Sequence, residues 1–277
     1  MNHIEFTCQS PDKLQFYFQG WEPEASLRAV VCLVHGLGEH TGRYAHVAAA
    51  LGDAGYAVLG FDLRGHGKPG LRGHTPSYDT LMDDIGRLLD EAAQRYPRQP
   101  RFLYGHSLGG NLVLNFALRR KPRLAGVVST SPAIRVPKPL PATQLTVVKV
   151  MNTLKPDMQI PNGLPLDGLA RDPAVARAYM SDPLVHDKIS VRLASEMFQA
   201  GEWALAHAAE FPLPLLLVHG SADQLTSAAA TQEFAGKVRG ECTLKIWDGF
   251  YHETHNEPEK AEVLGFMVAW MGSKVPA

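Results

Sequence analysis

The residues best suited to covalent chemistry lie in the pentapeptide 105–109, which reads G-H-S-L-G and is followed by Gly110. It fits the pattern G-x-S-x-G, with a strand predicted before it and a helix after it. In such a turn the serine is strained with its hydroxyl exposed, and the glycines avoid clashes two residues either side. The pattern predicts Ser107 as a nucleophile; the alternative is an ordinary glycine-rich turn with an unreactive serine.

A serine nucleophile needs a base to take its proton and an acid to orient that base. When the fold is of the α/β-hydrolase type, the acid follows the serine along the chain and the base comes last. Asp223 lies on a loop just after a predicted strand at 213–218, where ligand sites of open α/β sheets form. Asp248 and Asp182 are its rivals, and an Asx-turn or helix cap is its structural alternative. The position favours Asp223.

Two histidines near the C-terminus are candidates for the base. His252 and His255 both lie after a predicted strand at 242–247 and before the last helix. The run 252–256 reads H-E-T-H-N, so it lacks the second histidine at position 256 that a zinc motif H-E-x-x-H requires. We therefore expect no metal site here. The other histidines of the chain, which has 12 in all, are expected mostly on loops and the surface.

An ester-cleaving serine also needs backbone N–H groups for the oxyanion. The helix that begins at Leu108 offers one, and its positive end points at the site. The loop 35–40, which reads H-G-L-G-E-H after a predicted strand, is the expected source of the second, through the N–H of Leu37. A flexible surface loop is the alternative interpretation of these glycines.

These candidate residues are spaced along an alternation of strands and helices. A hairpin (4–8 and 13–18) precedes short apolar strands at 29–34, 57–62, 101–104 and 126–129, with helices at 44–54, 79–96 and 108–120 between them. The pattern resumes with strands at 213–218 and 242–247 and ends in a helix at 258–271. Short apolar strands alternating with helices predict an α/β fold whose mostly parallel sheet has helices on both faces.

Between the two halves the alternation lapses. Eight of the 20 prolines fall at 132–173, and helical pieces at 145–154, 172–179 and 191–207 have no predicted strands between them. Apolar residues at helical spacing indicate an inserted helical cap rather than a linker. We predict a core at 1–134 and 208–277 and a cap at 135–207. Within the cap we expect an apolar tunnel lined by Leu145, Val148, Leu154, Ile160 and Leu164, although plain helix packing explains many such residues.

Composition narrows the function classes. Lys+Arg 27 against Asp+Glu 28 gives a net charge of −1, which argues against nucleic acid as a partner. Three scattered cysteines suit neither a disulfide framework nor a zinc knuckle and favour a reducing compartment. With no signal peptide and no apolar run long enough for a membrane span, a soluble cytoplasmic protein is the expectation.

The motifs together resemble the monoacylglycerol lipase and lysophospholipase group of α/β-hydrolases over most of the chain. They read H-G-L-G-E-H-T-G-R-Y (35–44), D-L-R-G-H-G (62–67), G-H-S-L-G-G (105–110), S-D-P-L (181–184), H-G-S-A-D (219–223) and Y-H-E (251–253), with N-E at 256–257. The resemblance implies the α/β-hydrolase fold with an eight-stranded sheet. One departure is that Lys68, Pro69 and Gly70 follow R-G-H-G, where the family usually has a serine nearby.

The resemblance also implies roles for individual residues. Ser107 is implied as nucleophile, Asp223 as acid and His252, rather than His255, as base, with the oxyanion held by the N–H groups of Leu37 and Leu108. The family further suggests a polar wall at the glycerol end of the substrate, and the residues implied there are Gly36, Glu39, Arg43 and His106. Glu39 and Arg43 have an equally weighted alternative as a structural ion pair.

The predicted activity is hydrolysis of lipid esters, above all monoacylglycerols to glycerol and fatty acid, with no cofactor or metal. The expected partner is a small lipid ester, and the cap is expected to contact lipid aggregates or a membrane surface transiently. Alternatives are a lysophospholipase or general carboxylesterase with the same triad, a peptide-cleaving relative, and a non-catalytic binding protein of this fold. An Asp-dependent dehalogenase or epoxide hydrolase is disfavoured by the serine at position 107.

Overall fold

The structure is a computed structural model that describes residues 1–24, 26–68, 70–138 and 141–275. The side chains of residues 142, 144, 145 and 149 also lie outside the described part. The departure noted at Pro69 and the tunnel role expected for the Leu145 side chain therefore fall outside the described residues.

The elements alternate along the chain. The strands are β1 (Asn2–Gln9), β2 (Gln15–Glu22), β3 (Ala29–Val34), β4 (Tyr56–Phe61), β5 (Arg101–His106), β6 (Gly126–Thr130), β7 (Gln159–Pro161), β8 (Lys188–Ser190), β9 (Leu215–Gly220) and β10 (Cys242–Trp247). The helices are α1 (Ala45–Asp53), α2 (Tyr78–Arg95), α3 (Leu108–Arg120), α4 (Ala142–Leu154), α5 (Pro173–Ser181), α6 (Val191–His207), α7 (Ala228–Lys237) and α8 (Lys260–Gly272).

Eight of the strands form one sheet in the order β1-β2-β4-β3-β5-β6-β9-β10. β1 and β2 pair antiparallel, β2 pairs antiparallel with β4, and the remaining pairs are parallel. β3 is buried along its whole length because α1 and α8 cover one face of the sheet while α2, α3, α6 and α7 cover the other. Parallel strands buried on both faces read as continuous apolar runs, as predicted for this segment.

The interval between β6 and β9 contains α4, α5 and α6, in agreement with the helices predicted there. It also contains β7 and β8, which pair antiparallel as a separate two-stranded sheet. The expectation that no strands occur in this interval was therefore wrong. Strands of three residues are too short to show an alternating pattern in the sequence. The boundaries 135–207 of the cap stay a prediction.

Several element boundaries differ from those predicted, for local reasons. β2 begins at Gln15 because Lys13 adopts φ +67° in the preceding turn. β9 begins at Leu215, since Pro214 has no N–H to donate to the ladder. α7, for which no helix was predicted, is rich in alanine and has no strong apolar stripe. None of the helices in the described part of the chain combines the length and apolar character that crossing a bilayer requires.

Candidate active site

Ser107 lies at the sharp turn between β5 and α3. Its backbone has φ +54° and ψ −114°, a strained conformation for a residue other than glycine. A Cβ on Gly105 would lie 2.2 Å from the carbonyl oxygen of Gly109, and one on Gly109 would lie 2.1 Å from that of Val34. Only glycine fits at both positions, so the glycines of the motif are required by the packing of this turn.

His252 and Asp223 form a buried pair near this turn. His252 Nδ1 donates to Asp223 Oδ2 at 2.7 Å, and the Asp223 side chain is fully buried. The other oxygen, Oδ1, accepts from the backbone N–H groups of Leu225 at 2.7 Å and Thr226 at 3.0 Å. The carboxylate is therefore held by the loop after β9 and directed at the ring of His252.

Burial and charge oppose each other in this pair. Burial raises the pKa of Asp223, but the neighbouring His252 and the hydrogen bonds from His219 and His252 outweigh it and hold that pKa well below its usual value. Burial lowers the pKa of His252, while the Asp223 carboxylate raises it, and the net direction is upward. Asp223 is thus ionised at neutral pH, and its charge makes His252 a stronger base.

The segment that follows β6 connects the serine turn to the histidine. The N–H of Ser107 donates to the carbonyl of Thr130 at 3.0 Å, and the N–H of Ala133 donates to the carbonyl of Ser107 at 3.0 Å. Between these positions, Ser131 donates its hydroxyl to the backbone carbonyl of His252 at 2.7 Å. One short stretch of backbone therefore anchors both Ser107 and His252.

The alternative candidates for the acid and the base contact other residues. Asp248 accepts from the Ser221 hydroxyl at 2.9 Å, and Asp182 Oδ2 lies 2.8 Å from His40 Nε2. The ring of His255 stacks on Tyr44 with centroids 5.1 Å apart. Of the two candidate bases, His252 is the one whose ring nitrogen meets the Asp223 carboxylate.

The loop after β3 is held by a buried ionic network. Glu39 accepts from Tyr44 at 2.6 Å and from the Gly36 N–H at 2.5 Å, and it is also bonded to Arg43. Arg43 in turn forms a bidentate pair with Glu253 at 2.8 and 2.9 Å. The carboxylates of Glu39 and Glu253 are already hydrogen-bonded to groups of the protein, which favours the interpretation of Glu39 and Arg43 as a structural ion pair.

Five of the ten other histidines lie on loops and His3 is exposed, in line with the expectation, but four of the loop histidines are buried: His35, His40, His66 and His186. His106 Nδ1 lies 3.0 Å from Thr130 Oγ1, and its ring centroid is 4.8 Å from that of His252. Burial lowers the pKa of four fully buried rings, and these are His35, His66, His106 and His255. A polar residue's burial depends on partners elsewhere in the chain, which the local sequence does not show.

A cavity of about 710 Å³ opens at the candidate nucleophile. Ser107, Leu108 and Leu37 line it, together with side chains from the interval between β6 and β9. Three of the residues predicted for an apolar tunnel lie on its wall: Val148, Ile160 and Leu164. Leu154 does not, because its side chain is 70% exposed, so that expectation was wrong.

Three residues next to the pair were not predicted from the sequence: His219, Thr226 and Ser131. His219 Nε2 lies 3.0 Å from Asp223 Oδ2, and Thr226 Oγ1 lies 2.8 Å from the same oxygen. His219 opens the motif 219–223, so its position was a usable signal. Among the described residues, no group of three or more His, Cys, Asp or Glu side chains is placed to hold a metal ion.

The chain matches a protein-family model and is similar to several known proteins. The family model described as serine aminopeptidase, S33, matches residues 25–259. A monoacylglycerol lipase of Mycolicibacterium smegmatis is 35% identical over 94% of both chains. An abhydrolase domain-containing protein of Dictyostelium discoideum is 37% identical over 95% of this chain, which spans 28% of that longer protein. The crystal structure of the Paleococcus ferrophilus monoacylglycerol lipase has a TM-score of 0.86 and 35% identity, covering 94% of this chain and 99% of that one.

Proposed function

We propose that this chain, which belongs to the serine aminopeptidase S33 family of α/β-hydrolases, hydrolyses monoacylglycerols to glycerol and fatty acid through an acyl-enzyme. The predicted family and fold are confirmed by the comparisons, as is the prediction of an ester hydrolase of the monoacylglycerol lipase type. The observations that carry the finer proposal are the His252–Asp223 hydrogen bond and the strained Ser107, with Ser107 and Asp223 on the wall of one cavity.

In the proposed mechanism, His252 takes the Ser107 proton as the serine oxygen attacks the ester carbonyl. The oxyanion is stabilised by the backbone N–H groups of Leu37 and Leu108, each worth about 3 kcal/mol of barrier. Asp223 holds the imidazole and stabilises its cation. His252 then protonates the leaving alcohol and activates the water that releases the fatty acid. The Ser107 proton leaves with the alcohol, and a proton from the attacking water returns through His252 to Ser107, so the scheme balances without a cofactor.

The shape and chemistry of the cavity support a lipid ester as substrate. Its wall beyond the serine is mainly apolar, with Val148, Ile160 and Phe198 among the lining side chains. An acyl chain buries apolar surface there at about 25 cal/mol per Å². Gly36 and His106 lie beside Ser107, and we propose that they border the alcohol end of the substrate.

An exposed apolar face on α4 supports the proposed contact with lipid aggregates. Val147, Val150 and Leu154 are 60%, 50% and 70% exposed and recur at helical spacing on one side. Serine at all three positions is expected to reduce co-sedimentation with phosphatidylcholine vesicles and leave turnover of a soluble nitrophenyl ester unchanged. Equal vesicle binding by this variant and the wild type would contradict the role. A cytoplasmic location stays a prediction from the cysteine usage.

The central test is labelling by a fluorophosphonate together with a substrate series. Ser107→Ala is expected to abolish labelling, whereas Ser181→Ala, on α5, is expected to label like the wild type. No labelling of the wild type would favour a non-catalytic binding protein.

The substrate series compares glycerol monoesters of increasing chain length with lysophospholipids, aminoacyl amides and short nitrophenyl esters. Preference for monoolein is the expected result. Far better cleavage of short nitrophenyl esters would instead identify a general carboxylesterase. His252→Gln is expected to remove turnover, and His255→Gln is the matched control that separates the two candidate bases.

A further inference from the structure

Asp223 lies between two histidines rather than beside one. Its Oδ2 is 2.7 Å from His252 Nδ1 and 3.0 Å from His219 Nε2, and the side chains of Asp223 and His219 are both fully buried. The far nitrogen of His219, Nδ1, is 2.8 Å from Thr231 Oγ1 on α7. A continuous chain of hydrogen bonds thus joins α7 to the candidate base.

The hydrogen positions in this chain follow from the donors and acceptors. A carboxylate only accepts, so His219 must carry its proton on Nε2. Nδ1 of the same ring then lies within hydrogen-bond distance of the Thr231 hydroxyl, at 2.8 Å. The Thr226 hydroxyl is within reach of both Asp223 Oδ2 and the Ser131 carbonyl, at 2.8 and 3.0 Å, but has one hydrogen for the two. Asp223 Oδ2 therefore accepts from the two histidines, and it shares the single Thr226 hydroxyl hydrogen with the Ser131 carbonyl.

We propose that His219 is a positioning residue that acts through Asp223: it fixes the carboxylate, takes up part of its charge and thereby sets how readily His252 accepts the Ser107 proton. The proposal rests on the proposed function for the direction of proton transfer. His219 touches neither the cavity serine nor the substrate space, since the carboxylate lies between it and His252.

Other groups also face His252 and define its surroundings. The Asp223 carboxylate raises the pKa of His252, and Glu253 and Glu39 raise it further. The rings that face it from the other elements are His106 at the end of β5 and His255 in the loop before α8, and the Arg43 cation acts on both of those rings. These groups stay in place when position 219 is changed, so a change in titration reports on His219 through Asp223.

Replacing the donor at position 219 has a defined direction. Without the N–H of His219, Asp223 Oδ2 concentrates its charge on His252 and raises the pKa of that ring. We expect the acid-side midpoint of the kcat/KM profile to move up by about 0.5 to 1 pH unit in His219→Leu, the size of one ordinary net hydrogen bond. Below both midpoints this lowers kcat/KM by about three- to tenfold.

The experiment compares four full-length variants with the wild type. His219→Leu removes the donor, and His219→Gln restores an N–H at a similar distance along the side chain. Thr231→Val removes the hydroxyl next to His219 Nδ1 and weakens the Nε2–H of His219 as a donor, without changing position 219. His207→Gln, on the outer end of α6, is the matched control. Each protein is titrated twice: by kcat/KM on a soluble ester, and by NMR of the His252 imidazole, which needs no turnover.

The expected result is an upward shift in His219→Leu, a smaller one in Thr231→Val, and midpoints close to the wild type in His219→Gln and His207→Gln. An unchanged or lowered midpoint in His219→Leu, or His219→Gln behaving like His219→Leu, would overturn the proposal and leave His219 a packing residue. If His219→Leu does not fold, Thr231→Val decides by the same criterion. A wild type that shows the NMR titration but cleaves no ester would reject the proposed function alone.

Discussion

Arg43 is the cation of a buried network, and its replacement by methionine is expected to cost the fold several kcal/mol. The guanidinium side chain is 11% exposed, and the carboxylates it pairs with, Glu39 and Glu253, are 3% and 2% exposed. Methionine fills similar volume but leaves two buried carboxylates without their cation. Breaking a buried pair by removing one partner costs about 3–5 kcal/mol. We expect the free energy of unfolding to fall by about 4 kcal/mol, measured by urea denaturation at pH 8.

The pH dependence of this loss is a second signature. In the wild type, Arg43 outweighs the effect of burial and keeps the pKa of Glu39 low. In Arg43→Met the carboxylate pKa rises above its unfolded value, so the variant takes up a proton on folding and is relatively more stable at low pH. The difference from the wild type should therefore shrink between pH 8 and pH 5. Arg43→Met/Glu253→Gln should recover at least about 1 kcal/mol, because it removes one of the two orphaned charges.

A different pattern would refute this reasoning. If Arg43→Met lost less than about 1 kcal/mol, the network would not stabilise the fold as its burial implies. If it also raised KM for a glycerol monoester but not for a nitrophenyl ester, Arg43 would be a substrate-binding residue. The double variant separates the cases, since recovery of stability depends on charge within the protein and not on substrate.

Three further predictions concern pH and packing. Because Asp223 raises the pKa of His252, the acid limb of kcat/KM should have its midpoint above the usual histidine value of about 6.5, and a midpoint at or below it would contradict the pairing. The four fully buried histidines with lowered pKa take up protons only on unfolding, so the free energy of unfolding should fall as pH drops from about 6.5 toward 5, by at most about 1.4 kcal/mol per pH unit for each. The raised pKa of His252 contributes in the opposite direction. A free energy of unfolding that stays constant over this range, measured by urea denaturation, would count against the burial of the four rings. Gly109→Ala should cost about 3 kcal/mol or more or displace the serine turn, since its Cβ would lie 2.1 Å from the carbonyl of Val34. Gly265→Ala, in α8 where a Cβ meets nothing within 4 Å, is the matched control and should stabilise by up to about 1 kcal/mol in thermal denaturation; equal effects of the two would contradict the packing argument.

The elements that carry the site were largely predictable, because each has a local signal. The apolar runs of the central strands, the helix at α2 and the glycines around Ser107 reflect requirements of residues close in sequence. The spacing of Gly105 and Gly109 in particular corresponds to a direct contact between the two backbones. The same local logic placed Asp223 after a strand that ends at the same edge of the sheet.

The features that escaped prediction depend on partners distant in sequence. Glu253 and Arg43 are 210 positions apart in the sequence, yet their pairing decides whether Arg43 stabilises the fold or binds the substrate. The local sequence around His219 is the same whether its side chain faces solvent or donates a hydrogen bond to a buried carboxylate. The short strands β7 and β8 exist because residues 159–161 and 188–190 meet, and neither would form alone.

The pairing of β6 with β9 has a consequence for how this protein can change over evolution. The two strands are parallel neighbours, with Val127 opposite Leu215, so residues 131–214 leave the sheet at the carboxyl end of β6 and return to it at the amino end of β9. The interval is therefore a crossover connection between neighbouring strands, and lengthening such a connection of about 80 residues costs only about 0.6 kcal/mol for each doubling of its length. Insertions or deletions in its outer part, such as α4 with Val148 on the cavity wall, can therefore reshape the cavity at little cost in chain entropy, whereas Ser131 and α6 must be kept because they hold the site and cover the sheet.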